Sequence, residues 1–312
     1  MPRLTLLLPA RARFEDQPLS VKLARLIARA NREVAATQGR KPQLQRHFDV
    51  LPRHCAEAPI TRELDAGDSA AHAWLRADPA FVQADMASGR MLACGDMGLS
   101  AEDCDALLRP LRPLFGDEGF PISAPVSQRW YLMLPRDSKL PPFSAPEDVL
   151  GDDLHRHMPE GDAGRRWRRL LNEAQIILHN HPLNAQRSAR GLPPVNSLWF
   201  WGGGVLPDHV RANDRDVFGE EALLRGLGKL AGVTVRPVPA RFDPEHVEHD
   251  TLIDLRALRE LAVFERDWLL PAAIMLRKPD ALLLDFADGA RYTIVRQHRW
   301  RFWRRPPVRL GD

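Results

Sequence analysis

The apolar residues of this chain fall into short runs and helical stripes, separated by proline, glycine and charge. The run LTLLL, closed by Pro9, has the unbroken apolar character of a strand buried on both faces. Leu19, Val21, Leu23, Leu26, Ile27 and Val34 follow at spacings that predict a helix over 19–34. Residues 36–70 mix Pro, Gln, His and Asp without a sustained period and predict loops and short helices. From Ala71, AHAWLRADPAFVQADMASGRMLACG predicts short strands joined by turns. In LSAEDCDALLRPLRPLF, Ser100 and Asp103 form a relative of the capping box, and Leu107, Leu108, Leu111 and Leu114 continue at helical spacing. QRWYLMLP predicts a strand, ended in a loop by Pro141 and Pro142, and a helix follows over 162–179.

SLWFWGGG, from Ser197, predicts a strand and loop leading to a helix over 220–230 that Gly232 closes. TVRPVP returns as a strand, and this β-α-β alternation predicts parallel pairing. Further on, the pattern predicts a helix over 252–264 and a short helix over 268–275. Two strands then flank Asp288-Gly289 in ALLLDFADGARYTIVRQHRWRFW, the strongest local hairpin signal in the chain. No internal repeat or low-complexity tract interrupts this order.

Composition adds limits. At 312 residues, 44% of them apolar, the chain can build a real core and two domains, which excludes global disorder. Its longest apolar stretch, around Leu269 to Leu276, falls short of the roughly 20 residues of a membrane helix, so no membrane span is expected. The 44 basic residues outnumber the 41 acidic ones, and only five of them are lysine. Arginine's planar fork suits phosphates and carboxylates, although a chain rich in Ala, Arg, Leu and Pro also reflects genome composition. Cys55, Cys94 and Cys104 lack metal-type spacing and fit a reducing cytoplasm. Arg3, the run Leu4 to Leu8 and Ala10-Arg11-Ala12 faintly imitate a signal peptide, but Pro9 and the shortness of the run favour a first buried strand.

The segment 181–204, HPLNAQRSARGLPPVNSLWFWGGG, places Gly202, Gly203 and Gly204 after an apolar strand. There the backbone can approach a ligand and amide donors can face an anion, though a triple glycine is as often a tight turn. Neither a Walker sequence nor a dinucleotide fingerprint accompanies it. HPLN, Arg187, PPVNSLW and WGGG, followed by EALLRGLGKLAGV, resemble the archaeal-type cofactor-independent phosphoglycerate mutases of the alkaline phosphatase superfamily. LRADPAF, DMASGR and QRWYLML are similar to further segments of that family, so the resemblance covers roughly residues 70–235. WLRADP, LNEAQIILHNHPLN and FWRR look closer still to a bacterial branch that includes the Rpf E proteins, regulators of pathogenicity factors in plant-pathogenic bacteria.

The resemblance implies an α/β protein. Its alkaline-phosphatase-like core, with a mainly parallel sheet, would be made of 1–75 and 190–312, with a smaller α+β domain, 76–189, inserted. It also implies two divalent metals on Asp and His ligands and a Ser or Thr nucleophile. The first metal aspartate would follow the first strand, where this chain has Pro9 and Ala10. Glu245, His246, His249 and Asp250 could share a helical turn and bind a metal, or form a solvated helix start. The His pairs at 155 and 157 and at 179 and 181 are two apart, a spacing that does not bring side chains together on a helix, and they read as poor ligand pairs. Thr61 and Ser69 are the nearest nucleophile candidates, without metal-binding neighbours.

A catalytically degenerate relative is therefore expected, with no catalytic residue, metal site or cofactor assigned. Arg76, Arg90, Arg129 and Arg187 fall where the family carries arginine, while Met86 replaces another. With His181, Asn184, Asn196 and the three glycines they form a candidate anion site for a small phosphorylated or carboxylated metabolite. Alternatively, the arginines pair with Asp78, Asp85 or Glu173. Between Arg291 and Arg309 lie seven arginines and no acidic residue, interleaved with Tyr292, Trp300, Phe302 and Trp303. Such a stretch is a candidate surface for nucleic acid or an acidic protein, or a charge-protected edge. Three functions follow as expectations: a non-catalytic binding or regulatory protein, an active metal-dependent 2,3-bisphosphoglycerate-independent phosphoglycerate mutase or phosphatase, and an adaptor acting through the arginine-rich segment.

Overall fold

The computed structural model describes residues 2–84, 89–275 and 281–310. Two compact units emerge, Met1–His54 with Asp208–Asp312, and Cys55–Pro207. The cuts expected at 75 and 190 are corrected for a simple reason. A strand spans Ala73–Ala84 and pairs with Ser197–Val205, so either cut would sever one hydrogen-bonded ladder.

In chain order the first unit contributes β1 (Arg3–Leu8), β2 (Asn31–Val34) and β3 (Phe48–Leu51). The second holds β4 (Ala73–Ala84), β5 (Gly89–Cys94), β6 (Ile122–Val126), β7 (Arg129–Leu134) and β8 (Ser197–Val205). The chain returns to the first unit with β9 (His209–Ala212), β10 (Asp216–Phe218), β11 (Val235–Arg236), β12 (Thr251–Asp254), β13 (Ala281–Phe286) and β14 (Ala290–Val295).

The first unit is built on a sheet of order β11-β10-β12-β1-β13-β14-β2. Its strands from β11 to β13 are parallel, and β14 and β2 add antiparallel edges. β1 lies between β12 and β13 with Leu4 to Leu8 buried, which accounts for its unbroken apolar run. The helix Val21–Arg29 presents Leu23 and Ile27 to this core, and the helical stretch 261–275 adds Phe264, Trp268 and Leu269. Ser20 caps the first helix by accepting from the Leu23 N–H. A separate antiparallel pair joins β3 to β9.

Three expectations change here. The helix expected over 19–34 stops at Arg29, and Asn31–Val34 is an exposed edge strand whose Arg32 and Glu33 discourage further pairing. Thr251–Asp254 is a central strand, and the helix expected from 252 starts only at Leu261, because a short apolar run fits either state. β10 and β11 do pair in parallel beside the helix Ala222–Leu230, but SLWFWGGG belongs to the other unit and pairs antiparallel with β4. The hairpin turn forms as read. Gly289 takes a left-handed φ of 85°, and the Asp288 carboxylate accepts from the Ala290 N–H.

In the second unit β4 pairs with β8 along one edge and with β7 and β5 along the other, all antiparallel, with β6 beyond β7. Alternate residues of β4 therefore face opposite ways. Ala73, Leu75 and Ala77 meet the helices Ala101–Asp117 and Gly161–His179 through Leu107, Leu111, Phe115, Trp167 and Leu170. Trp74, Arg76 and Asp78 face the helix Glu57–Asp65. The capping box at Ser100 and Asp103 forms with both reciprocal hydrogen bonds. Among the described residues no helix is long and apolar enough to cross a membrane.

Candidate functional site

The residues of the candidate anion site lie in the second unit, where the protein itself engages most of their polar groups. Arg76 binds Asp78 through two hydrogen bonds, of 2.9 and 2.6 Å. Asp78 also accepts from the Trp201 indole at 2.8 Å and the Trp130 amide at 3.1 Å. Burial raises the Asp78 pKa despite these partners. The Arg76 guanidinium lies 4.8 Å from the Trp201 ring centre and 5.4 Å from that of Tyr131, while Arg62 lies 4.3 Å over Trp74. Arg129 clamps Asp65 at 2.7 and 2.6 Å, and Asp65 also accepts from the Tyr131 hydroxyl. These groups fasten the helix Glu57–Asp65 to the sheet through charge and aromatic faces.

The remaining candidates are also structural. Arg187 donates to the carbonyls of Pro193 and Met97, at 2.9 and 2.6 Å. His181 caps the helix Pro182–Ala189: its Nδ1 accepts from the Leu183 amide while Nε2 faces the Ala106 carbonyl. Asn184 bridges Leu178 and Val195, and Asn196 bridges both backbone groups of Val82. Arg90 is exposed on β5. The three glycines lie inside β8, not in an anion-binding loop. A Cβ on Gly202 would come within 3.3 Å of the Ala58 backbone nitrogen, so the glycine lets the helix close on the strand. Thr61 donates to the Glu57 carbonyl and Ser69 to Glu63, so neither is set as a nucleophile. Asp85 and Met86 lie outside the described residues, and Glu173 pairs with Arg169 on the surface.

A different site stands in the first unit, at the carboxyl ends of β10, β11 and β12, where open parallel sheets place ligands. Arg256 grips Asp254 through Nε at 2.8 Å and a terminal nitrogen at 2.7 Å, and that nitrogen also donates to Glu221 at 2.6 Å. Arg40 lies 3.3 Å from the other Glu221 oxygen. Burial opposes the charge on Arg256, but the two carboxylates outweigh it and hold the guanidinium above its usual pKa. These groups and Glu220 line one side of a cavity of about 650 Å³, with Val238, Leu258 and Trp268 as an apolar wall.

A second ionic cluster surrounds β13. Asp285, fully buried, accepts from Arg46 at 2.6 and 3.1 Å and lies 3.0 Å from His47 Nε2. His47 Nδ1 is 3.5 Å from Asp214, which pairs with Arg3 at 3.0 Å. Burial alone would lower the His47 pKa, but the two carboxylates raise it. Asp214 and Asp285 are held below their usual range by His47 and their arginines, against the opposing effect of burial.

The donors at these strand ends do not fit a two-metal centre. Asp254 and Glu221 already share the Arg256 guanidinium, Asp285 is held by Arg46 and His47, and β1 runs into Pro9 and Ala10. Among the described residues, no group of three or more His, Cys, Asp or Glu is arranged to hold a metal ion. Glu245 to Asp250 do not form one helical turn. Pro244–His246 is a single 3-10 turn, His249 lies 3.5 Å from Asp216, and Asp250 accepts from the Arg3 amide. The sequence signals for this cavity, FGEE at the end of β10 and DLR at the end of β12, carry little weight alone.

No family model matches the chain. The probable 2,3-bisphosphoglycerate-independent phosphoglycerate mutase of Geobacter sulfurreducens is 29% identical over 143 residues, 44% of this chain and 36% of that protein. The corresponding enzyme of Methanothrix thermoacetophila is 34% identical over 101 residues, 30% of this chain and 25% of that protein. Its homologues are archaeal-type cofactor-independent phosphoglycerate mutases. The shared segments span about a quarter to a third of these relatives. Among solved structures, the cofactor-independent phosphoglycerate mutase of Thermoplasma acidophilum is similar with a TM-score of 0.44 at 16% identity, covering 94% of this chain and 89% of its own.

Proposed function

We propose that this phosphoglycerate-mutase-like protein is a binding or regulatory protein that takes a small phosphorylated or carboxylated metabolite without transferring its phosphoryl group. The observation that carries the reading is Arg256, whose guanidinium is already committed to Asp254 and Glu221 at the carboxyl ends of the parallel strands. Two-metal phosphoryl transfer relies on ions that exchange ligands and activate the nucleophile. A fixed guanidinium contributes charge but no open coordination position. In this reading the ligand enters the cavity that Arg40 lines together with Glu220, Glu221 and Asp254, and its anionic group pairs with Arg40.

The test combines metal analysis of the purified protein, conversion of 3-phosphoglycerate to 2-phosphoglycerate in manganese, and calorimetric titration with 3-phosphoglycerate. The expected result is little bound metal, no turnover and saturable binding that Arg40→Ala weakens. Stoichiometric metal with turnover would overturn the proposal in favour of an active mutase or phosphatase.

A further inference from the structure

Beyond β14 the first unit continues as a 3-10 turn, Arg296–Trp300, and an irregular stretch pinned from within. Arg301 donates to the Arg29 carbonyl at 3.0 Å and to the Asn31 side chain at 2.6 Å. Arg304 donates to the Ala30 carbonyl at 2.6 Å and the Ala28 carbonyl at 3.4 Å. Together they satisfy the open carboxyl end of the helix Val21–Arg29. His298 is buried, and Leu310 joins the core.

Between these anchors the large rings turn outward. Trp300, Phe302 and Trp303 are 63%, 78% and 68% exposed. Phe302 and Trp303 pack edge to face at 5.6 Å, and the Arg299 guanidinium lies 4.8 Å from the Trp300 ring centre. Arg296, Arg299 and Arg305 are exposed and form no ion pair among the described residues, and residues 291–309 contain no carboxylate. Scattered exposed apolar residues need no explanation, but three adjacent aromatics on a pinned backbone mark an interaction surface.

We propose that Trp300, Phe302 and Trp303, with Arg296, Arg299 and Arg305, form a binding surface for single-stranded nucleic acid. Unpaired bases offer flat faces to stack on the rings, and the phosphates between them meet the guanidiniums. A duplex hides those faces, and an acidic peptide would match the arginines while leaving the rings without partners. This surface is independent of the cavity at β12, so its test does not depend on the metabolite reading.

The experiment is fluorescence anisotropy of a labelled 12-nucleotide oligothymidine titrated with the full-length protein from 50 to 300 mM salt. Affinity is expected to fall with salt, with a log–log slope of about −2 for three phosphates neutralised on a single strand. W300A/W303A should weaken binding about tenfold or more, and R296A/R299A/R305A should flatten the salt dependence. All five side chains are exposed, so circular dichroism should show the fold retained. No binding at 50 mM salt, equal affinity for duplex, or indifference to W300A/W303A would overturn the proposal. So would ring-dependent binding to phosphatidylserine vesicles or polyglutamate in place of the oligonucleotide.

Discussion

Arg256 and His47 are both held between carboxylates, yet they respond to different perturbations. Arg256 and Asp254 have side chains only 9% and 8% exposed. Removing the guanidinium would leave Asp254 and Glu221 close together without their shared cation. Arg256→Ala is expected to cost about 3–5 kcal/mol in denaturant unfolding, the usual penalty for breaking a buried pair. Arg256→Lys should recover only part of this, since one ammonium cannot reproduce the two-point grip. His47 acts through pH. Its folded pKa is raised, so its contribution is full below the ordinary 6.5 and is lost as pH rises through the raised value. Asp214 and Asp285 have lowered values, so theirs is full above the ordinary 3.8 and is lost as pH falls through the lowered ones. The cluster is therefore strongest between about pH 4 and 6.5. His47→Gln should flatten the decline in stability between pH 6 and 8. His298, whose pKa burial and nearby arginines lower, contributes with the opposite sign and cancels in the comparison with wild type.

At the scale of elements, signals confined to neighbours in sequence translate directly into structure. The capping box at Ser100 and the Asp288-Gly289 hairpin are of this kind, and Ser100→Ala is expected to cost about 1 kcal/mol by thermal or denaturant unfolding. β12 and β2 are four residues each and take their identity from partners, β12 from β1 and β10, and β2 from β14. Local periodicity does not contain that information. Asp78 stood in the sequence as one of three partners open to the arginines, and Arg76 takes it because residues two apart share a strand face. The Arg256 site was not legible, because Glu221 arrives 35 residues earlier, after a different strand. Gly202 shows how the same residues support two readings. Its φ of 68° and the nearby Ala58 backbone demand glycine for packing alone. Gly202→Ala should therefore destabilise by about 1–2 kcal/mol, to the same extent with and without phosphate, whereas a phosphate-binding loop would show a difference.

At the scale of the whole chain, the division at 54/55 and 207/208 makes a claim about which residues can fold together. The second unit holds these charges internally: Arg76 with Asp78, Arg129 with Asp65, Arg62 with Asp68, and Arg187 on the carbonyls of Pro193 and Met97. Both faces of its sheet are covered by its own helices, and Trp74, Trp130, Trp167, Trp199 and Trp201 are all buried within it. Its boundary was hidden in the sequence because the helix Glu57–Asp65 buries Glu57, Thr61 and Arg62, which read as solvent-facing until the sheet beneath them is known. A polypeptide of residues 55–207 is expected to fold alone, giving a cooperative urea transition and strong near-ultraviolet dichroism from its ordered tryptophans. A polypeptide of residues 76–189 lacks that helix, the start of β4 and all of β8. It would expose Tyr131 and leave Arg129 without Asp65, so a gradual transition and weak tryptophan signal are expected. Equal cooperativity in the two would contradict the assignment of β8 and the helix Glu57–Asp65 to this unit.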